Sequence, residues 1–427
     1  MVPFLQDNVL YRGVYCLLAG SEGNAQWCGG RDGLLPGYAL GTTGYEWIAY
    51  FLAGFTIMFI LVNGALLGAA LFVWGERRLI GRFHSRRGPN RWGPWGLLQP
   101  IADLLKLIIK EDLVPNAADK IVFTVVPVVM LMSLLLSLAV IPFARNTYLA
   151  NLNIGVLYFV AVSSISTLGI FMAGWSSGNK YAIFGAMRGV AMLISYEIPL
   201  VISLVGVVLI AGSMSLVSVV EAQALPFILV QPLGAFIFMV GISAELNRTP
   251  FDIMEAESEI VAGYHTEYSG IKFGLIQAAE MAGVLAASAM MATLFLGGWS
   301  GPFLSSQLGA MWFLLKLAFF AILFIWIRAT FPRLRIDQIM AFAWKFLVPL
   351  AFINLIATAV EVYFFGFYNS SDLGLITRNE LWIMAAINIG IAVASVTAFG
   401  YGIREKVRVS PVKLEGFTIA QGLVEAD

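Results

Sequence analysis

The chain has 427 residues, of which 59% are apolar and 12% are charged, and its mean hydropathy is +0.83. A soluble domain has about 25% charged residues, so this composition indicates an integral membrane protein. The formal net charge is zero, which argues against nucleic acid as a partner because no basic surface is available to meet phosphates. Two cysteines and two histidines are too few for an iron–sulfur cluster or a Cys/His zinc site, so we expect no metal in this chain.

Nine apolar runs are long enough to cross a bilayer, whose core of about 30 Å needs roughly 20 helical residues. The runs are continuous rather than alternating, which favours helices over a transmembrane barrel. The predicted spans are residues 46–74, 121–141, 154–175, 186–211, 226–244, 274–297, 310–328, 344–366 and 381–402. We therefore predict an all-α integral membrane protein with about nine transmembrane helices and one interfacial amphipathic helix after the first span.

Lysine and arginine predict the orientation of these spans, because cytoplasmic loops carry the excess of positive charge. One side holds 21 of the 26 basic residues, in segments 75–120, 176–188, 245–273, 328–345 and 403–427. The other side holds Arg12, Arg31, Arg145 and Arg378, and Lys316 lies within a span. We therefore expect a multi-pass protein with its N-terminus outside and its C-terminus in the cytoplasm.

The spans divide the chain into an external N-terminal segment 1–45, a polytopic membrane domain 46–403 and a cytoplasmic tail 404–427. Cys16 and Cys28 both lie in the external segment, on the side of the membrane where disulfides persist. The residues alone leave two states open, a disulfide between these cysteines and two free thiols.

A basic segment follows the first span and leads into a predicted amphipathic helix at about residues 96–112. Asp103, Lys106 and Lys110 fall on one polar stripe of that helix, and leucines and isoleucines cover the rest. Because the helix is too short and too charged to span, we expect it to lie along the membrane interface. For such a helix taken alone, binding to lipid headgroups is the competing interpretation.

Four ionisable residues fall inside predicted spans: Glu197, Glu280, Lys316 and Glu361. A charge at the bilayer centre costs about 3 kcal/mol on insertion scales, so such residues need partners, protonation or water. Glu197 is followed by Pro199, which favours a kinked helix beside the carboxylate and a functional role. The other three lie nearer span ends, where a structural ion pair explains them almost as well.

The segment "SAELNRTPFDIMEAESEIVAGYHTEY", residues 243–268, holds six carboxylates against one arginine. As a helix it would place Asp252, Glu255 and Glu259 together, and as a strand it would align Glu255, Glu257 and Glu259. Carboxylates this close raise one another's pKa, so we expect them to hold protons near neutral pH. A solvated acidic loop is the alternative, but the apolar residues among the acids favour a packed segment.

Four motifs resemble those of a known family. They are "ERRLIGRFHSRRGPNRWGPWGLLQPIADLLKLIIKED", "ISYEIPL", "AELNRTPFDIMEAESEIVAGYHTEYSG" and "RATFPRLRIDQIMAFAWK", in family order between about residues 46 and 403. The family is that of the H subunits of proton-pumping NADH:quinone oxidoreductase, respiratory complex I, similar to subunit 1 of mitochondrial NADH dehydrogenase. The resemblance implies a respiratory-chain translocase subunit in the bacterial plasma membrane.

The resemblance implies that quinone, ubiquinone or menaquinone, is the substrate and that this chain binds no cofactor of its own. The expected partners are the lipid bilayer, the iron–sulfur subunits of the hydrophilic arm, small membrane subunits and antiporter-like subunits. Iron–sulfur clusters and FMN would lie in those partner subunits. Electrons delivered to the quinone would be coupled to proton translocation through the acidic residues of this chain.

The resemblance also implies roles for individual residues. The expected quinone-binding residues are Glu76, Arg77, Arg86 and Asp103. The expected proton path consists of Glu197, Glu245, Asp252, Glu255, Glu257, Glu259, Glu267 and Glu280. Structural or interface roles fall to Arg248, Arg328, Arg333 and Arg335. Glu361 receives no role from the resemblance.

Two other functions remain open on the sequence. One is a homologous membrane subunit of a proton-pumping hydrogenase, a formate hydrogenlyase, or a ferredoxin-linked or deazaflavin-linked dehydrogenase, which need not use quinone. The other is a proton-coupled secondary transporter, which would be stable and active by itself. Neighbouring genes for NADH-binding and flavin-binding subunits would distinguish complex I from both.

Overall fold

The computed structural model describes residues 8–19, 28, 46–254, 257–303, 308–368 and 378–406. Regular secondary structure in these ranges is helical, as the all-α prediction requires. The helices are α1 (Val9–Ala19), α2 (Glu46–Phe83), α3 (Gln99–Ile109), α4 (Lys120–Leu138), α5 (Gly155–Ser176), α6 (Lys180–Ala211), α7 (Leu216–Ala222), α8 (Phe227–Val230), α9 (Pro232–Glu245), α10 (Glu257–Ile260), α11 (Gly270–Phe295), α12 (Gly309–Thr330), α13 (Ile336–Phe342), α14 (Val348–Tyr368) and α15 (Arg378–Lys406). A π-helical turn, Ala343–Leu347, joins α13 to α14.

Eight helices in the described part of the chain are long and apolar enough to cross a membrane. They are α2, α4, α5, α6, α11, α12, the joined α13–α14, and α15. The predicted span 226–244 is instead two helices of four and 14 residues, α8 and α9. They are interrupted at Gln231, because the residue before a proline is disfavoured in the helical conformation and Pro232 follows. The chain is a multi-pass membrane protein.

Helix α2 is longer than its predicted span, which ended at residue 74, and continues to Phe83. The motif "GERR" therefore lies on a helix and not in a loop. The amphipathic helix is confirmed as α3, and its residues Ile101, Leu105 and Ile108 are exposed. A turn, Pro94–Gly96, leads into α3. Gly96 has φ +77°, and a Cβ there would lie 2.4 Å from the Pro89 carbonyl oxygen, so the turn requires glycine.

Helices α6 and α11 form the centre of the bundle. Helix α6 packs against α5, α9 and α14, while α11 packs against α2, α4 and α12. Their contact residues are small or apolar, as at Gly241, where a Cβ would lie 3.0 Å from Leu200. The central helices are thus the ones whose polar side chains are shielded from lipid.

The loops gather at two ends of the bundle. At one end, which we call the acidic end, segments 84–98, 110–119, 246–254, 257–269 and 331–335 meet; for example, Leu334 N–H donates to Pro250 O at 3.2 Å. At the opposite end, segments 139–154, 212–226 and 296–303 meet, and Val156 N–H donates to Met214 O at 3.0 Å. Helix α1 lies at the opposite end, where Val9 N–H donates to Asn146 O at 2.9 Å. A disulfide joins Cys16 of this helix to Cys28.

Candidate functional site

The loop between α9 and α11 is packed onto the ends of the helices. Its apolar residues Phe251, Ile253 and Met254 are buried. Gly263 has φ +55°, and a Cβ there would lie 1.7 Å from the Met254 carbonyl oxygen. The backbone of Gly263 therefore packs directly against the backbone of Met254, which only glycine allows. Tyr268 stacks on Phe123 of α4 at 4.1 Å between ring centroids. The segment is therefore not a solvated acidic loop.

Burial also acts on the hydroxyl of Tyr268. It raises the pKa of Tyr268 to about 12, against the opposing effect of a hydrogen-bond contact with Ser176. The phenol is therefore neutral across the physiological pH range and serves to anchor the loop to α4 and α5.

The described acids of this loop are bound by partners on different segments. The Asp252 carboxylate accepts a hydrogen bond from Arg333 at 2.9 Å, and that of Glu259 accepts one from Arg188 at 2.6 Å. The third, Glu267, accepts a hydrogen bond from the Asn179 side-chain amide at 2.7 Å.

Of the acids that sequence spacing predicted to cluster, Asp252 and Glu259 are each bound by an arginine on another segment. The short α10 begins at Glu257 and residues 251–254 are not helical, so no continuous helix aligns Asp252 with Glu259. Glu255 lies outside the described residues. Glu257 is the first residue of α10, and its side chain also lies outside the described part of the structure.

Glu280 lies beneath the loop, on α11. Its carboxylate accepts a hydrogen bond from the Tyr264 hydroxyl at 2.6 Å. The same oxygen, Oε1, lies 3.5 Å from Nε2 of His265. Tyr264 and His265 are both buried. Neither residue was predicted from the sequence, although "GYHTEY" places a histidine beside a tyrosine in a chain with only two histidines.

A cavity of about 90 Å³ lies next to Glu280, among α4, α5, α9 and α11. We call it the serine cavity, after its four lining serines. Its polar lining consists of Ser133, Ser137, Ser163, Ser166, Glu245, Asn247 and Glu280. Glu245 is the last residue of α9, so the end of that helix brings its carboxyl group into the cavity.

A smaller cavity of about 10 Å³ adjoins Glu245 on the α6 side. Its polar lining consists of Ser164, Thr167, Glu197 and Glu245. The Ser164 hydroxyl donates to Oε1 of Glu197. A cavity of this size is close to the minimum that holds one water. Glu245 lines both cavities, so Glu280, Glu245 and Glu197 form a row from the loop into the middle of α6.

Glu76, an expected quinone-binding residue, is bound to two arginines for which the resemblance implied structural or interface roles. Its side chain is 6% exposed, and Oε1 accepts hydrogen bonds from Arg248 at 2.8 Å and from Arg328. Nη2 of Arg248 lies 2.7 Å from the sulfur of Met281, the residue that follows Glu280 on α11. This buried ion cluster connects α2, the loop, α11 and α12.

The other expected quinone-binding residues lie around the acidic end of α2. Nη1 of Arg77 donates to Oδ2 of Asp103 at 2.5 Å, which ties α2 to α3. Arg86 lines a cleft of about 250 Å³ whose other basic residues are Arg78, Arg82 and Arg87. At the start of α13, the Arg335 backbone N–H donates to Gln338 Oε1 at 3.2 Å, and the Arg335 carbonyl accepts from Ile339 N–H at 3.0 Å.

A long apolar groove of about 1230 Å³ runs along α2 between α11 and α12. At the acidic end its lining includes Trp74, Arg78 and Trp95. The guanidinium carbon of Arg78 lies 5.4 Å from the Trp74 ring centroid and 5.6 Å from that of Trp95. These three residues were not predicted from the sequence. The expected quinone-binding residues, Glu76, Arg77, Arg86 and Asp103, do not line this groove.

Comparison with known proteins identifies the family. The NADH dehydrogenase family model matches residues 55–359, a shorter range than the 46–403 expected. The H subunit of NADH-quinone oxidoreductase from Dehalococcoides mccartyi (strain CBDB1) is 57% identical over 303 residues, which are 71% of this chain and 85% of that one. The H subunit from Syntrophotalea carbinolica is 46% identical over 325 residues, 73% of this chain and 98% of that one. The chain therefore belongs to the family of NADH-quinone oxidoreductase H subunits, membrane subunits of complex I.

Proposed function

We propose that this chain forms the membrane part of the quinone-binding chamber and couples quinone reduction to proton translocation through Glu280, Glu245 and Glu197. The observation that carries the proposal is that Glu245 lines both the serine cavity and the smaller cavity beside Glu197. Carboxyl and hydroxyl groups spaced by water-sized cavities are the components of intramembrane proton relays.

The quinone would reach the acidic end along the apolar groove. Aliphatic walls on α2, α11 and α12 suit an isoprenoid tail, and the groove ends beside Trp74, Arg78 and Trp95. Within two helical turns of that end lie the Arg77–Asp103 pair and the Glu76 ion cluster. We assign the quinone head to this charged region, where an iron–sulfur subunit of the hydrophilic arm would supply electrons from a flavin in another partner subunit.

Two electrons give the quinone two negative charges, and the two protons that complete the neutral quinol are taken from nearby groups, so the charge around the head-group site changes. A unit charge at about 4 Å is worth around 4 kcal/mol at an effective dielectric constant near 20. Arg248 provides a short route for this effect, because it binds Glu76 and contacts Met281 beside Glu280. The response would pass from Glu280 through Glu245 to Glu197, and from there to the small membrane and antiporter-like subunits.

The substitution Glu245→Gln tests the relay, with Glu221→Gln as a matched control. Glu221 is an exposed carboxylate on α7 at the opposite end and lines neither cavity. In the purified complex in proteoliposomes, we expect Glu245→Gln to depress NADH:quinone electron transfer and proton pumping together by at least about tenfold, equivalent to 1.4 kcal/mol. The control should retain both rates. Electron-transfer and pumping rates equal to those of the control, in an assembled Glu245→Gln complex, would refute the relay.

A further inference from the structure

A second buried polar cluster lies outside the row of acids, towards the opposite end of the bundle. It consists of Gln231, Asn354, Thr358, Glu361 and Asn388, and all five residues are buried. We call these residues the α14 polar cluster. Asn354, Thr358 and Glu361 lie at i, i+4 and i+7 on one face of α14. Gln231 comes from the break between α8 and α9, and Asn388 comes from α15.

Hydrogen bonds join these residues in two groups, one of Gln231, Thr358 and Asn354 and the other of Asn388 and Glu361. Nε2 of Gln231 donates to the Thr358 hydroxyl at 2.8 Å, and that hydroxyl donates to the Asn354 carbonyl at 2.7 Å. Nδ2 of Asn388 donates to Oε2 of Glu361 at 2.7 Å. Gly206 and Gly234 leave room for the amides: a Cβ on Gly234 would lie 3.1 Å from Nδ2 of Asn354 and 3.3 Å from Oε1 of Gln231.

Three side-chain atoms of the cluster have no hydrogen-bond partner among the residues that the structure describes. They are Oε1 of Gln231, Nδ2 of Asn354 and Oε1 of Glu361. Each buried, unpaired polar atom costs about 1–3 kcal/mol, so a site with three of them in neighbouring side chains favours a small polar ligand. Water supplies both donors and acceptors and therefore matches this set.

The charge state of Glu361 follows from what surrounds it. The other members of the cluster carry amides and a hydroxyl, and in the described ranges no basic side chain forms an ion pair with Glu361. An ionised carboxylate would stand uncompensated inside the membrane, at a cost that reaches about 3 kcal/mol at the bilayer centre. A proton bound at Oε1 removes that charge and turns the unpaired acceptor into a donor for water.

We propose that Glu361 is a proton-binding site, hydrated by water held among Glu361, Gln231 and Asn354. Seven residues separate Glu361 from the end of α14 at Tyr368, which is about 10 Å of helix, so the site lies close to the opposite surface. Glu361 and Asn388 both fall beyond the residues 55–359 that the family model matches. The final helix α15 therefore completes a site that is separate from the proposed relay and does not depend on it.

The ligand is a proton rather than a metal cation. Hard cations such as Ca²⁺ take six to eight oxygen ligands. The described cluster offers two unpaired oxygens, while Nδ2 of Asn354 is an unpaired donor and Nδ2 of Asn388 already donates to Glu361. Donor groups repel a cation but bind water.

Infrared difference spectroscopy of the purified complex in lipid tests the site. At about pH 7, where exposed glutamates near pKa 4.3 are ionised, the wild type should show a carboxylic-acid C=O band that Glu361→Gln abolishes. The band should shift in D₂O, because water reaches the proton. Asn388→Ala should move the band to higher frequency through loss of its hydrogen bond, and the control Glu221→Gln should leave it unchanged.

The same spectra contain the results that would overturn the proposal. Identical carboxylic-acid regions in the wild type and an assembled Glu361→Gln complex would show that Glu361 is ionised. A band that does not shift in D₂O would contradict the proposal that water hydrates the site. Loss of the band when NaCl replaces choline chloride would assign the site to a cation. None of these readouts depends on quinone turnover, so they separate this proposal from the relay.

Discussion

Three consecutive residues at the acidic end of α2 serve three different contacts. Glu76 is buried against Arg248 and Arg328, Arg77 pairs with Asp103 of α3, and Arg78 lies between Trp74 and Trp95. Successive helical side chains are rotated by about 100°, so neighbours in sequence face different parts of the molecule. The local pattern predicted that these charges matter, and the packing decided which of them meet.

Asp103→Asn tests the Arg77–Asp103 pair at the proposed quinone head-group site. Because the pair is partly exposed, its loss should cost about 1 kcal/mol and raise the apparent KM for a short-chain quinone about fivefold. Lys106→Gln, an exposed position on the same helix, is the control. Steady-state kinetics of the assembled complex provide the measurement. An unchanged KM would show that Asp103 is not part of the proposed quinone-binding chamber.

Tyr264→Phe tests the entrance of the relay. It removes the hydroxyl that donates to Glu280 at 2.6 Å and keeps the ring against His265, at 3.9 Å between centroids. Loss of a hydrogen bond to a charged group costs about 1.5–3 kcal/mol, so we expect at least a tenfold slower proton translocation. The control Tyr181→Phe alters an exposed tyrosine of α6. Equal pumping rates in the two variants, followed with a pH-sensitive dye, would contradict a role for Tyr264.

At the scale of the helices, polar side chains of the proposed sites lie where helices are interrupted or end. The interruption at Gln231 places the side-chain amide of that residue inside the bundle, and the end of α9 places Glu245 between two cavities. Pro232 predicts such a break from sequence, because a proline disfavours the helical conformation of the residue before it. Apolar composition alone nevertheless favoured one continuous span over residues 226–244, since hydropathy does not register where a helix is interrupted.

Gly263→Ala and Gly212→Ala form a matched pair that tests how the loop is packed. Both glycines have positive φ, +55° and +66°, so alanine is strained at either position. At Gly263 a Cβ would also collide with the Met254 carbonyl at 1.7 Å, whereas at Gly212 nothing lies within 4 Å. Thermal inactivation of quinone reductase activity should therefore occur at a clearly lower temperature for Gly263→Ala. Equal inactivation temperatures would mean that the loop is not seated on the bundle as described.

Across the complete bundle, the two ends differ in charge. Segments 75–120, 176–188, 245–273 and 328–345, whose loops meet at the acidic end, hold 17 of the 26 lysines and arginines, and α15 ends there at Lys406. The opposite end holds α1 and the Cys16–Cys28 disulfide. We propose that the acidic end faces the cytoplasm and receives the hydrophilic arm, in accordance with the distribution of positive charge.

Cysteine labelling tests this orientation. Asn146→Cys at the opposite end should react with a membrane-impermeant maleimide in intact cells, and Ser85→Cys at the acidic end should react only in inside-out vesicles. Both side chains are exposed. The native cysteines are bonded to each other and give no background. Reaction of Ser85→Cys in intact cells would reverse the proposed orientation.

The membrane class, the helical fold, the approximate spans and the family all follow from the amino-acid sequence, as do the acids and arginines around which the site is built. These properties depend on local composition, because roughly 20 apolar residues must cover each crossing and every backbone polar group in lipid must be satisfied within a helix. Which groups meet is a property of the folded bundle. Glu76 with Arg248, Tyr264 with Glu280, and Glu361 with Asn388 are contacts between distant residues or separate elements. Such contacts depend on how helices pack, and periodicity along one helix carries no information about the partner on another.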